Sequence, residues 1–126
     1  MADKKRILVA DDDPDLLDLL ERDLAHHGYE TLKAANGKET LQIALAEKLD
    51  LILLDVMMPY IDGYHVAYEI TNKLGAQAPY ILIMTSRDTT REKGIALMSG
   101  AHEVIQKPFE MAKLHERVAA ALDSKP

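Results

Sequence analysis

Short apolar runs alternate with amphipathic stretches from Ile7 to Leu122, and the alternation repeats five times. The apolar runs predict strands over 6–10 (RILVA), 29–34 (YETLKA), 50–54 (DLILL), 80–84 (YILIM) and 103–106 (EVIQ). The stretches between them predict helices near 14–27, 37–48, 64–74, 88–99 and 110–122. In the first of these, Leu16, Leu17, Leu20 and Leu24 recur at three- and four-residue spacing. In the last, Met111, Leu114, Val118, Ala121 and Leu122 do the same, so each helix has one face for a sheet. Asp13-Pro14 supplies an N-cap and a first-turn proline to the first helix; Gly28 follows its end and Gly37 opens the second.

Strand composition predicts an order. A parallel strand covered by helices on both faces reads as an unbroken apolar run, as ILVA, LILL and YILIM do. YETLKA alternates and EVIQ carries only two apolar residues, which suits edges. Strands 1, 3 and 4 are therefore expected in the middle, giving the order 2-1-3-4-5. That is the order of flavodoxin-like folds: an α/β, doubly wound (βα)5 domain with a five-stranded parallel sheet and helices on both faces. In such a sheet ligand chemistry is expected at the carboxyl ends of the strands, where the order reverses between strands 1 and 3.

Composition narrows the function classes. The 126 residues suit a single domain over 1–126, and 48% hydrophobic with 29% charged residues gives material for one core. A net charge of −6 and a pI near 5.3 argue against direct nucleic-acid binding, which draws on clustered Lys and Arg. The apolar runs are too short for a helix that spans a membrane. The apolar stretch behind Lys4-Lys5-Arg6 stops at Asp11, so no export signal is predicted. With no cysteine there is no disulfide, thiol nucleophile or thiolate-bound metal, and a cytoplasmic location is the expectation.

Four strand ends bring polar groups to the carboxyl edge. Strand 1 runs into Asp11-Asp12-Asp13, strand 3 into Asp55, strand 4 into Thr85-Ser86 and strand 5 into Lys107-Pro108. Two carboxylates ~4 Å apart repel by about 4 kcal/mol at an effective dielectric of 20. Helix capping, worth ~1 kcal/mol, accounts for Asp13 but not for all three acids. A hard divalent cation removes the repulsion, and Mg²⁺ favours a few carboxylate oxygens with water and a phosphate, so a Mg²⁺ site is predicted at Asp11, Asp12 and Asp55. Lys107 and Thr85 could balance the oxygens of a phosphoryl group carried on a carboxylate, with Asp55 as the nucleophile. Taken singly, Asp55 could be a loop acid, Lys107 a solvated lysine held extended by Pro108, and Thr85 a helix cap; the constellation favours the joint role.

Other readings fall away. From Asp11 the sixth position is Leu16 and the twelfth Arg22, which breaks the EF-hand pattern. Three carboxylates after strand 1 would repel a nucleotide or flavin phosphate. Met57 stands where a phosphatase of the haloacid-dehalogenase type carries a second acid, so turnover of external substrates is not expected. His26, His27, His65, His102 and His115 show no metal-ligand spacing and read mostly as surface residues. Met57-Met58 reads as packing material.

The motifs ILVADDDP, LILLDVMMPYIDGY, YILIMTSRD and GAHEVIQKPF, in this order and spacing, resemble the receiver domains of two-component response regulators over nearly the whole chain. The resemblance implies that Asp55 is the phosphoacceptor and not the nucleophile of an enzyme with external substrates. It implies that Asp12, Asp55 and the backbone carbonyl of Met57 bind Mg²⁺, with Asp11 acting through water. Thr85 would follow the phosphoryl group on activation and Lys107 would bind it. The family also implies a cis peptide before Pro108, a turn glycine at Gly63, and tuning of dephosphorylation by Met57 and Arg87. One position departs: Val104 stands where many members carry an aromatic that swings inward, a motion a β-branched side chain does not make.

The implied partners are a sensor histidine kinase or a histidine phosphotransfer protein, and a downstream protein or effector domain that reads a switched surface on helix 4, strand 5 and helix 5. Thr89, Thr90 and Gly94 make helix 4 look labile. The alternative is an interaction module that keeps the fold and binds without phosphorylation. Mg²⁺ discriminates, because a working site gives a stability shift that Asp12→Asn removes. The chain ends soon after Leu122, which fits either a free-standing receiver or one cut from a longer protein.

Overall fold

The computed structural model describes residues 4–58 and 61–123; Pro59 and Tyr60, inside the LILLDVMMPYIDGY motif, lie outside the described residues, as do both ends of the expected 1–126 domain. The described elements are β1 (Arg6–Ala10), α1 (Pro14–His26), β2 (Glu30–Ala34), α2 (Gly37–Ala46), β3 (Leu51–Asp55), α3 (Gly63–Leu74), a 3₁₀ turn (Gly75–Gln77), β4 (Tyr80–Thr85), α4 (Thr89–Met98), β5 (Glu103–Gln106) and α5 (Met111–Asp123). All strand pairs are parallel and the order is β2-β1-β3-β4-β5, as the strand compositions predict.

The central strands are apolar on both faces because both faces are covered. Ile7, Val9, Leu51, Leu53, Leu82 and Met84 pack with Leu17, Leu20 and Leu24 of α1 and Leu114, Val118, Ala121 and Leu122 of α5. The alternate residues Leu8, Ala10, Ile52, Leu54, Ile81 and Ile83 meet Val66, Ala67 and Ile70 of α3, Ala44 of α2 and Ala96 of α4. This is the period-2 pattern of a strand read out on two sides.

Local chemistry sets the ends. The Asp13 carboxylate accepts from the backbone N–H groups of Asp15 and Leu16, capping α1 ahead of Pro14. Gly28, at φ 91°, takes the left-handed conformation that ends this helix. Asn36 caps α2 through the Glu39 N–H, a role the sequence reading did not assign. The 3₁₀ turn after α3 was also not anticipated, and α2 stops two residues short of the expected boundary. The third strand is shifted by one residue: it runs to Asp55, which pairs in register with Met84. That shift matters, because it makes Asp55 part of the sheet and holds its backbone rigidly.

Candidate functional site

Three strands and one post-strand turn place the polar groups. β1 delivers Asp11, whose N–H donates to the Ala34 carbonyl at 3.1 Å and whose Oδ1 accepts from the Asp13 N–H at 3.0 Å. β3 delivers Asp55, and β4 ends in Thr85. The Lys107 N–H donates to the Thr85 carbonyl at 2.6 Å, and the Lys107–Pro108 peptide is cis. Asp11 is 1%, Thr85 1% and Asp55 5% exposed, burial that is unusual for such groups without partners.

The partner is Lys107. Its ammonium donates to Asp11 Oδ2 at 2.5 Å and to Asp55 Oδ1 at 3.1 Å, bridging two buried carboxylates. Asp12 stands exposed beside them, and one carboxylate oxygen from each of Asp11, Asp12 and Asp55 lies within 4.8 Å of the others. Burial, followed by the charge of Asp11, pushes the Asp55 carboxyl up to about 6, while Lys107 works against that rise. Burial disfavours the charged form of Lys107, yet the hydrogen bond to Asp11 and the charge of Asp55 outweigh it, and the pKa is raised. Two buried acids thus share one close cation, and a third acid at the rim leaves the cluster net negative. Three convergent hard oxygens fit a small divalent cation.

The remaining candidate residues surround this centre. Thr85 does not cap α4: Asp88 does, through the Thr90 N–H, while Thr85 Oγ1 accepts from the Arg87 N–H at 3.0 Å. Ser86 is exposed and lines a shallow cleft with Asp13, Lys107 and Pro108. Met57 is 58% exposed, and its sulfur accepts from Arg87 Nη2 at 3.3 Å, so the two residues the family reading paired touch across the rim. Gly63 has a steric explanation: a Cβ there would lie under 3.0 Å from the Asp55 carbonyl oxygen, and its N–H donates to the Val56 carbonyl at 2.9 Å. Val104 is half-buried against the α2–α3–α4 side of the core.

Two groupings were not foreseen. Glu92 on α4 is buried and accepts from the Tyr64 hydroxyl at 2.6 Å, and Arg87 approaches it at 3.7 Å. Burial, then the bond to Glu92, raises the Tyr64 pKa. The second involves two of the histidines. His26, His27, His65 and His102 are exposed, but Asp23, His27 and His115 come together. Asp23 lies in the last turn of α1, His27 caps its C-terminus, and His115 arrives from α5, so linear spacing could not reveal the group.

A doubly wound sheet that gathers acids, a hydroxyl and a lysine at its carboxyl edge defines a class of α/β domain with its ligand chemistry at the strand ends. Within that class, the chain belongs to the response regulator receiver domain family of two-component systems, whose family model matches residues 7–119. It is similar to the uncharacterized transcriptional regulatory protein YrkP of Bacillus subtilis, with 43% identity over 117 residues, 93% of this chain and 49% of that protein. The chain spans about half the length of the curated relatives it matches. Among solved structures it resembles a CheY-like receiver domain protein from Methanospirillum hungatei (TM-score 0.89, 28% identity, covering 96% of this chain and 95% of that one). It also resembles the response regulator TrrA from Thermotoga maritima in complex with Mg²⁺-BeF (TM-score 0.83, 36% identity, covering 93% and 98%). Receiver domains bind Mg²⁺ at the acidic pocket and interact with histidine kinases. Among the described residues no helix is long and apolar enough to cross a membrane.

Proposed function

We propose that the whole chain is a single receiver domain that works as a phosphorylation switch, with Asp55 taking a phosphoryl group from a phosphohistidine on a sensor kinase or phosphotransfer protein. The observation that carries this reading is Lys107 shared between the buried Asp11 and Asp55 carboxylates. An Asp55 oxygen attacks phosphorus, the P–N bond breaks and the imidazole leaves with its electron pair. Lys107 is already within hydrogen-bond reach of the acceptor oxygen and moves onto the transferred phosphoryl oxygens. Thr85, at the end of the neighbouring strand, supplies the hydroxyl that follows the new group. Asp11, Asp12, Asp55 and the Met57 carbonyl would hold Mg²⁺, which when bound offsets negative charge on the donor phosphate. The chain catalyses its own modification and is not an enzyme acting on external substrates.

The output is a changed surface. An aspartyl phosphate carries about −1.5 to −2 charges in place of the carboxylate's single one, brings new acceptor oxygens toward α4, β5 and α5, and biases an equilibrium between two arrangements of that face for a downstream partner. Intact mass after incubation with acetyl phosphate is the test. A labile adduct that needs both Mg²⁺ and Asp55 is expected, absent in Asp55→Asn. No adduct, together with no binding of beryllium fluoride, overturns the switch and leaves a phosphorylation-independent interaction module.

A further inference from the structure

We propose that Asp23, His27 and His115 form a second metal site, selective for a transition-metal cation of the zinc class, that staples α1 to α5 and shares no residue with the carboxyl-edge site. One carboxylate oxygen and two ring nitrogens lie within 4.8 Å of one another. A tetrahedral ion with bonds of about 2.0–2.1 Å wants its ligands about 3.4 Å apart, a gap that small side-chain rotations close. Asp23 in the last turn of α1 and His27 at its C-cap stand four residues apart, a spacing that lets two side chains meet one ion. His115 comes from the neighbouring helix, and its Nε2 is paired with Asp23 Oδ2.

The tautomer supports the assignment. His27 Nδ1 lies 2.9 Å from the Asp23 backbone carbonyl, which can only accept, so in the neutral ring Nδ1 carries the proton and Nε2 keeps a lone pair, whereas at His115 Nε2 an ion would displace the proton shared with the Asp23 carboxylate. A backbone carbonyl that fixes the far nitrogen of a ligating histidine is the usual second layer of an imidazole metal site. The imidazoles of His27 and His115 already approach with ring centroids 3.9 Å apart, tilted by 47°. Asp23 and His115 are only about a quarter exposed, at 24% and 23%, whereas His27 faces solvent and leaves an open position for water.

Chemistry separates this site from the first. Two imidazoles and one carboxylate suit Zn²⁺, Co²⁺, Ni²⁺ or Cu²⁺, whereas the all-oxygen set of Asp11, Asp12 and Asp55 suits Mg²⁺. The site lies at the joint between the two helices whose leucines and valine share one face of the sheet. An ion there adds a cross-link between elements 92 residues apart, Asp23 and His115.

The test is zinc titration calorimetry on the tag-free chain in millimolar Mg²⁺, which keeps the carboxyl edge supplied with its own ion. Saturable binding of a single Zn²⁺, a raised thermal midpoint, and visible absorption bands on Co²⁺ substitution are expected. His115→Ala should weaken binding by roughly tenfold or more. His27→Gln, an exposed change that leaves the core untouched, should do the same, and Asp12→Asn should leave binding intact. Absence of saturable binding in Mg²⁺, binding unchanged by both histidine variants, or binding abolished by Asp12→Asn overturns the proposal.

Discussion

The helices on the two faces of this sheet are not anchored alike, and α4 stands apart from the rest. On one side, α1 buries Leu17, Leu20 and Leu24 and α5 buries Leu114, Val118, Ala121 and Leu122 against the sheet. On the other, α4 buries only Glu92 and Ala96, while Ile95, Leu97 and Met98 are 48%, 55% and 87% exposed. A helix held by one small apolar residue and one buried carboxylate is the element that a modest change in charge at the carboxyl edge can move. The same sheet carries a firmly packed helix pair and a lightly held helix, and the side-chain chemistry of each decides which it is; in the proposed switch they serve as frame and reporter.

The largest expected effect comes from breaking the frame. Leu20 is fully buried, and Leu20→Ala should cost about 2–5 kcal/mol in urea unfolding through lost transfer energy and an unfilled cavity. A cost below 1 kcal/mol would mean that α1 is no better packed than α4, and the comparison would fail.

A second prediction separates packing from charge. The Asp55 carboxyl is raised from 3.8 to about 6 in the folded, metal-free chain. Between those values the native state binds more protons than the unfolded one, so stability falls as pH rises from about 4 to 6, and the cost persists above 6. Asp55→Asn should therefore stabilise the metal-free chain by about 2 kcal/mol at pH 7.5 and hardly at all at pH 4. The Leu20→Ala deficit should be the same at both. Thermal unfolding with a chelator present reads both; an equal gain at the two pH values would show that the Asp55 charge is not the source.

Much of this comparison was legible in the sequence. The helix spacing of Leu17, Leu20 and Leu24 announces a buried face, and the unbroken runs ILVA, LILL and YILIM announce strands covered on both sides. Asp11, Asp12, Asp55, Thr85 and Lys107 are visible because strand ends converge in this topology. Thr89, Thr90 and Gly94 hinted that α4 is weak, but the tie of Glu92 to Tyr64 could not be read, since a glutamate in a first helical turn ordinarily complements the helix dipole in solvent. Nor could the meeting of His115 with Asp23 and His27, which depends on how two distant helices lie on one sheet face. Pairwise contacts across the third dimension have no local signature, and both omissions are of that kind.

Tyr64→Phe attacks the reporter alone. The hydroxyl donates to the buried Glu92 Oε1 at 2.6 Å, and its loss leaves that carboxylate with the more distant Arg87, at 3.7 Å. A cost of about 1–3 kcal/mol is expected, as for one partner of a hydrogen bond to a buried charge. Hydrogen exchange should locate it: amides of α4 should lose protection while those of α1 keep theirs. Uniform loss across both helices would make Glu92 part of the frame instead.

The smallest effect sharpens the contrast from the other end. Met98 is the most exposed large apolar side chain of the domain's described residues, at 87%, on the last turn of α4. In the isolated chain it has little contact to lose, so Met98→Ser should change unfolding stability by no more than about 0.5 kcal/mol. Leu20→Ala removes a similar amount of apolar side chain and costs several times more, so the pair measures environment and not residue type. If the Met98 change cost as much as the Leu20 change, Met98 would be packed in solution, against α4's own neighbours or a second copy of the chain, and sedimentation would distinguish the two. A value near zero leaves the α4 end as apolar surface with nothing behind it, free to be covered or uncovered at small energetic cost. Under the proposed switch, that freedom is what would let a charge placed on Asp55 be read there.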